Sequence, residues 1–155
     1  MAHCVYSTEE EIQRMKENGV YVAHCPESNE NLSSGIAPVK RYLEEGLSVG
    51  GSTENLFRAM AHAIQMSKMR WRLVDQKYPA LKSEEAFYMA TKGGGSFFGK
   101  VGSFEEEYEF DAVVLDDSRL ESSRQMSVKD RLEKMIYLAD EREVKAKYVR
   151  GNKII

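Results

Sequence analysis

The sequence predicts an α/β protein in which a parallel sheet is followed by a smaller segment rich in β-strands. Residues 1–72 alternate strand and helix three times, a pattern that predicts parallel strands joined by right-handed crossovers. Beyond residue 102, the short strand-like runs "YEFDAVVLDD" and "KAKYVRGNKII" flank a single helix. We therefore expect two domains, residues 1–100 and 101–155.

Capping and turn residues bound the first strand–helix units. The predicted strands are "MAHCVY", "VYVAHC" and "LSVG". Ser7 and Glu10 fit a capping box for the first helix, which should end at the Asn-Gly pair 18–19. The stretch "PESNENLSSG" predicts a polar loop. Pro38 suits the first turn of the second helix, which should end at Gly46.

Three further helices follow. Thr53 or Asn55 can cap a long helix that reaches about Arg72. Its apolar face comprises Phe57, Met60, Ile64 and Trp71. A shorter helix, "SEEAFYMATKGG", should begin at Ser83 as its cap and stop at the glycines. In the second segment, Ser127 should cap the helix in "SVKDRLEKMIYLADE".

The composition excludes several classes of protein. The chain has 22 Lys and Arg against 25 Asp and Glu, a net charge of −3, and its basic residues are scattered. This balance argues against a nucleic-acid binder that depends on phosphate contacts. The apolar runs are too short to span a membrane, and the N-terminus lacks the pattern of a signal peptide. Cys4 and Cys25 do not form a C-x-x-C pair, so we expect a reduced, cytoplasmic protein.

Two His-Cys pairs at the ends of predicted strands are the candidates for chemistry. The pairs are His3-Cys4 and His24-Cys25. A closed zinc site built from all four is disfavoured, because neighbouring side chains on a strand point to opposite faces. We expect the cysteines to be small apolar filler. His3 is either an acid–base group or metal neighbour, or a structural histidine; His24 is expected to hold its loop in shape, and His62 to be exposed on a helix.

The third predicted strand ends without a chemical group. A strand tip is where an α/β enzyme usually places catalytic residues. Between Gly50 and Thr53 there is no acidic residue, histidine or cysteine.

Several stretches together resemble the amidohydrolase superfamily and, within it, the guanine deaminases. The specific stretches are "AHCPESNENLSSG" and "ATKGGGSFFGKVGSFEEEYEFDAVVLD", and the resemblance covers nearly the whole chain in the family's order. Related adenosine-type deaminases and chlorohydrolases are the alternatives. The resemblance implies the C-terminal part of a (β/α)8 TIM barrel, about strands 6–8 with their helices, plus the C-terminal strands of a small β domain.

The resemblance also implies chemistry. Enzymes of this kind convert guanine to xanthine and ammonia in purine catabolism, with a zinc-activated water as the nucleophile. His3 matches the sixth-strand histidine, which helps to position that water. The residues that match the seventh-strand loop at the mouth of the site are His24, Cys25, Pro26, Ser28 and Asn29.

Departures from the family pattern concern the metal. The resemblance implies zinc ligands on strands one and five and a nearby catalytic Glu, which would precede Met1, as if the chain began at an internal methionine. It also implies an Asp ligand in a Gly-rich loop after Gly50, and a Gly where Glu107 stands. With those ligands absent, we expect this chain alone to bind no catalytic zinc and to be inactive.

A non-catalytic role is the alternative. Three strand–helix units cannot close a barrel of eight strands, so the outer strands would expose their edges. We therefore expect a chain that associates with itself, as a homodimer, or with a missing half.

Overall fold

The computed structural model describes residues 1–51, 55–120 and 122–155. The helices are α1 (Glu9–Glu17), α2 (Pro26–Asn31), α3 (Val39–Glu44), α4 (Leu56–Leu73), α5 (Ser83–Ala90), α6 (Lys92–Gly95) and α7 (Val128–Leu138). The strands are β1 (Val22–His24), β2 (Val49–Gly51), β3 (Ala112–Leu115), β4 (Val144–Val149) and β5 (Asn152–Lys153). No helix among these residues is long and apolar enough to cross a membrane.

The first sheet is parallel, as predicted. Strands β1 and β2 pair in parallel, with Ala23 opposite Gly50. The predicted strand "MAHCVY" is shorter than expected, because only Ala2 pairs, as an isolated parallel bridge to Ala23. His3 and Cys4 follow with φ angles of 66° and 47°, a left-handed backbone that cannot continue a strand.

The N-terminal end of α1 lies one residue later than predicted. Thr8, not Ser7, is the N-cap, and Glu11 completes the capping box. The Glu11 amide lies 3.3 Å from the Thr8 hydroxyl, and the Glu11 carboxylate accepts from the Thr8 amide at 2.7 Å. The predicted end of the helix is confirmed, since Asn18 is the C-cap.

The predicted polar loop "PESNENLSSG" is wrong in its first half, which forms helix α2. Pro26 occupies the first position of this helix, where its fixed φ is already helical and its missing N–H is not needed. Pro38 is the N-cap of α3 rather than part of its first turn. Gly46, at φ 81°, follows the C-cap of α3, as expected of a glycine that ends a helix.

Helix α4 supplies much of the core. Asn55 caps it by accepting from the Arg58 amide at 3.1 Å, whereas the other predicted cap, Thr53, lies outside the described residues. Its buried residues are Ala59, Met60, Ala63, Ile64 and Ser67. The prediction that Trp71 belongs to the apolar face is wrong, because this side chain is 43% exposed near the end of the helix.

The helix that follows differs from the prediction at both ends. Ser83 is the first residue of α5 and Lys82 is its cap. The helix ends at Ala90 because Thr91 leaves helical geometry, with φ −123° and ψ −103°. Gly93 therefore lies within the short helix α6 instead of stopping α5.

The C-terminal segment forms an antiparallel sheet in the order β3-β4-β5. Arg150 and Gly151 make the turn between β4 and β5, at φ 48° and 76°, as a two-residue hairpin turn requires. The turn therefore lies one residue before the predicted Gly-Asn pair. Ser127 caps α7, as predicted, and the structure shows that Asp130 completes a capping box.

One hydrophobic core links the strands of the first sheet to the surrounding helices. Val22 and Val49 from the sheet meet Tyr42 of α3, Met60 of α4 and Ile136 of α7 in this core. Helix α7 packs against α4 and α5, so the C-terminal segment contributes to the same core. The division at residue 100 stays a prediction.

Candidate active site

The predicted site residues gather at the carboxyl ends of the parallel strands. Ala2 pairs with Ala23, and His24 is in register with Gly51 at the end of β2. His3 directly follows the first of these positions, and α2 begins directly after Cys25. Carboxyl ends of parallel strands meet at one edge of a sheet, which is where α/β proteins place their sites.

His3 stands on a strained three-residue turn. Its amide donates to the Ala23 carbonyl at 3.0 Å, and the Cys4 amide donates back to the Ala2 carbonyl at 2.9 Å. A non-glycine residue at φ 66° inside such a turn is costly and persists only when surrounding contacts hold it. The residue is exposed, and its ring Nδ1 lies 2.7 Å from Asn29 Oδ1.

Helix α2 positions Asn29. The Asn29 amide donates to the Cys25 carbonyl at 3.0 Å, and its own carbonyl accepts from the Ser34 amide at 2.9 Å. The residue is 2% exposed. Its Nδ2 has no hydrogen-bond partner within the described part of the chain.

His24 is a buried, neutral imidazole. The residue is 2% exposed, and neither ring nitrogen has a hydrogen-bond partner among the residues described. Burial, with a smaller repulsion from His3, lowers its pKa from 6.5 to about 4. Its ring lines a cavity of about 10 Å³ together with apolar side chains of α4 and α5, among them Met60, Ala63 and Met89. That volume is close to the minimum for one water molecule.

The two cysteines, Pro26 and Ser28 make local contacts. The free thiols of Cys4 and Cys25 are buried, and their Sγ atoms lie 3.6 Å and 3.4 Å from the carbonyl oxygens two residues earlier. Burial raises the pKa of the Cys4 thiol. Pro26 is buried at the start of α2, and the carbonyl of half-buried Ser28 accepts from the Leu32 amide at 3.1 Å.

Two contacts fasten α2 to α4. Arg58 Nη2 lies 2.5 Å from Glu27 Oε1, and His62 Nδ1 lies 2.5 Å from Glu30 Oε2. His62 was expected to be exposed, but its side chain is 22% exposed because it lies against the α2 carboxylate. These contacts hold the helix that carries Asn29 against the core.

The described residues of the site do not include the groups that a zinc ion needs. No cluster of three or more His, Cys, Asp or Glu side chains in residues 1–51, 55–120 and 122–155 could hold a metal ion. A closed zinc site takes four protein ligands, and a catalytic site takes three with a water. The residues present therefore do not fit a zinc ion. Ser52–Glu54, which follow the end of β2, lie outside the described residues.

Two residues that shape the site, Tyr42 and Gly50, were not among the predicted site residues. Tyr42 is fully buried, and its hydroxyl donates to the Cys4 carbonyl at 2.5 Å, which ties α3 to the strained turn. At Gly50, a Cβ would lie 1.7 Å from the Tyr21 hydroxyl and 2.7 Å from Gly94 Cα. A tyrosine at a core position of a short helix was the available signal for the first, and a paired glycine in a strand for the second.

Comparison with known proteins adds the family. The model of the amidohydrolase family matches residues 1–154. The crystal structure of a guanine deaminase from C. acetobutylicum, with guanine bound in its active site, matches with a TM-score of 0.93 and 49% identity over 100% of this chain. The guanine deaminase of Dictyostelium discoideum is 32% identical over 99% of this chain. A 5-methylthioadenosine/S-adenosylhomocysteine deaminase of Dictyoglomus thermophilum is 37% identical over 74% of it.

These relatives are longer than this chain. It spans 38% of the clostridial structure, 37% of the Dictyostelium protein and 28% of the Dictyoglomus protein. The match to the amidohydrolase structures over the full chain confirms the predicted fold class, with its mixed strands and helices forming part of a barrel. The chain belongs to the amidohydrolase family.

Proposed function

We propose that this chain is the C-terminal part of a guanine deaminase, a hydrolase that converts guanine to xanthine and ammonia. The observation that carries the proposal is the match to the clostridial guanine deaminase, at 49% identity and a TM-score of 0.93 over the whole chain. The Dictyoglomus relative, which represents the adenosine-type alternative, is less similar than that structure, at 37% identity over 74% of the chain. Residues 1–100 would then form strands 6–8 of the barrel, and residues 101–155 the C-terminal strands of a small β domain. We propose that the protein acts in the cytoplasm.

We propose that His3 orients or deprotonates the water that attacks guanine. It lies at the edge of the parallel sheet, it is exposed, and its Nδ1 is already bonded to Asn29. The other ring nitrogen, Nε2, is therefore the one available to a water or a substrate. A neutral imidazole nitrogen near pH 7 is a suitable proton acceptor.

The chain alone is proposed to be inactive. Zinc is the cofactor that the family resemblance implies, and the residues present do not make up a zinc site. Purified chain should therefore contain no stoichiometric zinc and form no xanthine from guanine. Xanthine formation that follows the 155-residue species through purification would overturn this part of the proposal.

A graft into the clostridial enzyme tests the substrate assignment. The chain replaces the matching 38% of that enzyme, either as it stands or with the host's own loop inserted between Gly50 and Gly51. We expect the first graft to be inactive and the second to deaminate guanine in preference to 5′-deoxyadenosine. A preference for the adenosine substrate would contradict the assignment. His3→Ala in the second graft should lower kcat much more than it raises KM, because orientation of water matters in the transition state.

A non-catalytic, self-associating module is the second candidate. Large apolar side chains are exposed near the C-terminal segment, with Phe97, Phe98 and Phe104 at 64%, 79% and 77%. Light scattering of the purified chain distinguishes the two candidates. A stable homodimer that neither binds zinc nor supports guanine turnover in the graft would favour the module.

A further inference from the structure

We propose that Asn29 is a positioning residue that holds His3 in the tautomer protonated on Nδ1, so that Nε2 is a free acceptor. The meaning of this arrangement for catalysis rests on the proposed function, but the tautomer itself does not. No other described residue makes a hydrogen bond with the His3 ring.

The contact between the two side chains fixes the direction of the hydrogen bond. Asn29 Oδ1 can only accept, so the proposed hydrogen bond of 2.7 Å places the proton on His3 Nδ1. A neutral imidazole has one N–H, and placing it on Nδ1 leaves a lone pair on Nε2. Asn29 is 2% exposed, so water does not compete for its oxygen.

Both partners are held by their backbones. Helix α2 fixes Asn29 through bonds of 3.0 Å to the Cys25 carbonyl and 2.9 Å from the Ser34 amide. His3 is fixed by its bond to the Ala23 carbonyl and by its left-handed turn. A strained backbone that neighbouring contacts hold in place is typical of functional sites, where the orientation of a side chain matters. The backbones on both sides of the contact are therefore held in place.

The arrangement suits a base that must become charged for a short time. The Nε2 lone pair accepts a proton from a water, and the resulting imidazolium still donates from Nδ1 to the Asn29 oxygen. The water's oxygen keeps the electron pair of the broken O–H bond, so charge and atoms balance. An amide oxygen favours this cation less than a carboxylate would, so the proton can leave again.

Nitrogen NMR of the 155-residue chain tests the tautomer directly. Long-range proton–nitrogen correlation at about pH 8 separates a protonated ring nitrogen from an unprotonated one, and His3→Gln assigns the His3 signals. We expect a protonated Nδ1 and an unprotonated Nε2 for His3 in the unaltered chain. Protonation of Nε2 instead would overturn the proposal.

Two variants show whether Asn29 is the cause. Asn29→Ala should shift His3 toward the Nε2-protonated tautomer that free histidine prefers, whereas Asn29→Asp, which keeps an acceptor oxygen, should retain Nδ1 protonation. Asn31→Ala, at the exposed end of the same helix, is the matched control and should leave His3 unchanged. Unchanged His3 signals in a folded Asn29→Ala chain would overturn the proposal. Loss of folding in that variant leaves Asn29→Asp as the test, and an Nε2-protonated His3 there would overturn it as well.

These outcomes are separable from those of the proposed function. A graft that fails to deaminate guanine, with His3 protonated on Nδ1, contradicts the function and supports the role of Asn29. An active graft with His3 protonated on Nε2 supports the function and contradicts the role of Asn29.

Discussion

Acid should destabilise this protein through the buried ring of His24. The imidazole is 2% exposed, neither ring nitrogen has a hydrogen-bond partner among the described residues, and burial lowers its pKa from 6.5 to about 4. A histidine with a lowered pKa in the folded state binds its proton more readily when the chain is unfolded. Its neutral form therefore favours folding above about pH 6.5, and this contribution is lost as the pH falls toward about 4.

The magnitude follows from the two pKa values. Between about pH 7.5 and about pH 4.5, the His24 linkage lowers the free energy of unfolding by about 2–3 kcal/mol. Since a domain of this size is stable by roughly 5–15 kcal/mol, a loss of that size is easily measured. Replacement with Leu, an apolar residue of similar size, removes both the titration and the two unpartnered nitrogens.

Urea unfolding followed by circular dichroism measures the effect. The free energy of unfolding is determined near both pH values for the unaltered chain, for His24→Leu and for the control Tyr6→Phe, in a residue that is 81% exposed. Carboxylates titrate in all three proteins, so the difference between pH-dependent losses isolates the histidine. We expect His24→Leu to lose about 2–3 kcal/mol less than the unaltered chain, and Tyr6→Phe to behave like the unaltered chain. Equal losses of unfolding free energy in the His24→Leu and unaltered chains would refute the interpretation of His24 as a buried neutral imidazole. If the leucine variant does not fold, His24→Gln provides the same comparison.

Two further predictions concern the packing around the site. Gly50→Ala should destabilise the chain by about 1–3 kcal/mol in urea unfolding, because a Cβ there would meet the Tyr21 hydroxyl at 1.7 Å, while Gly51→Ala should change it little because the nearest atom lies 3.9 Å away. Similar effects of the two alanines would show that β2 does not approach its neighbours as closely as the structure has it. Tyr42→Phe should cost about 1–3 kcal/mol in the same measurement, because it leaves a buried carbonyl without its donor; Tyr6→Phe, in a residue that is 81% exposed, is the control, and equal stability of both variants would contradict the buried hydrogen bond.

The sequence by itself determined the elements whose signals are local. Capping by Ser127, the end of α1 at Asn18 and the parallel order of the first strands depend on nearby residues or on the alternation of strand and helix. The family was also accessible from sequence, since "AHCPESNENLSSG" carries the seventh-strand loop in one continuous stretch. The His3 and mouth-loop residues could be named from that resemblance, although their roles stay proposals.

Tertiary structure decided everything that depends on distant parts of the chain meeting. The sequence predicted a strand through His3, but bonds to β1 and α3 hold that residue in a left-handed turn. It placed Asn29 in a loop, whereas a helix beginning at Pro26 buries it 2.7 Å from a ring 26 residues away. Nor could it show that His24 is neutral, because a lowered pKa arises from the loss of water around a buried ring. Desolvation and hydrogen-bond direction are properties of the packed fold, and no local pattern of residues encodes them.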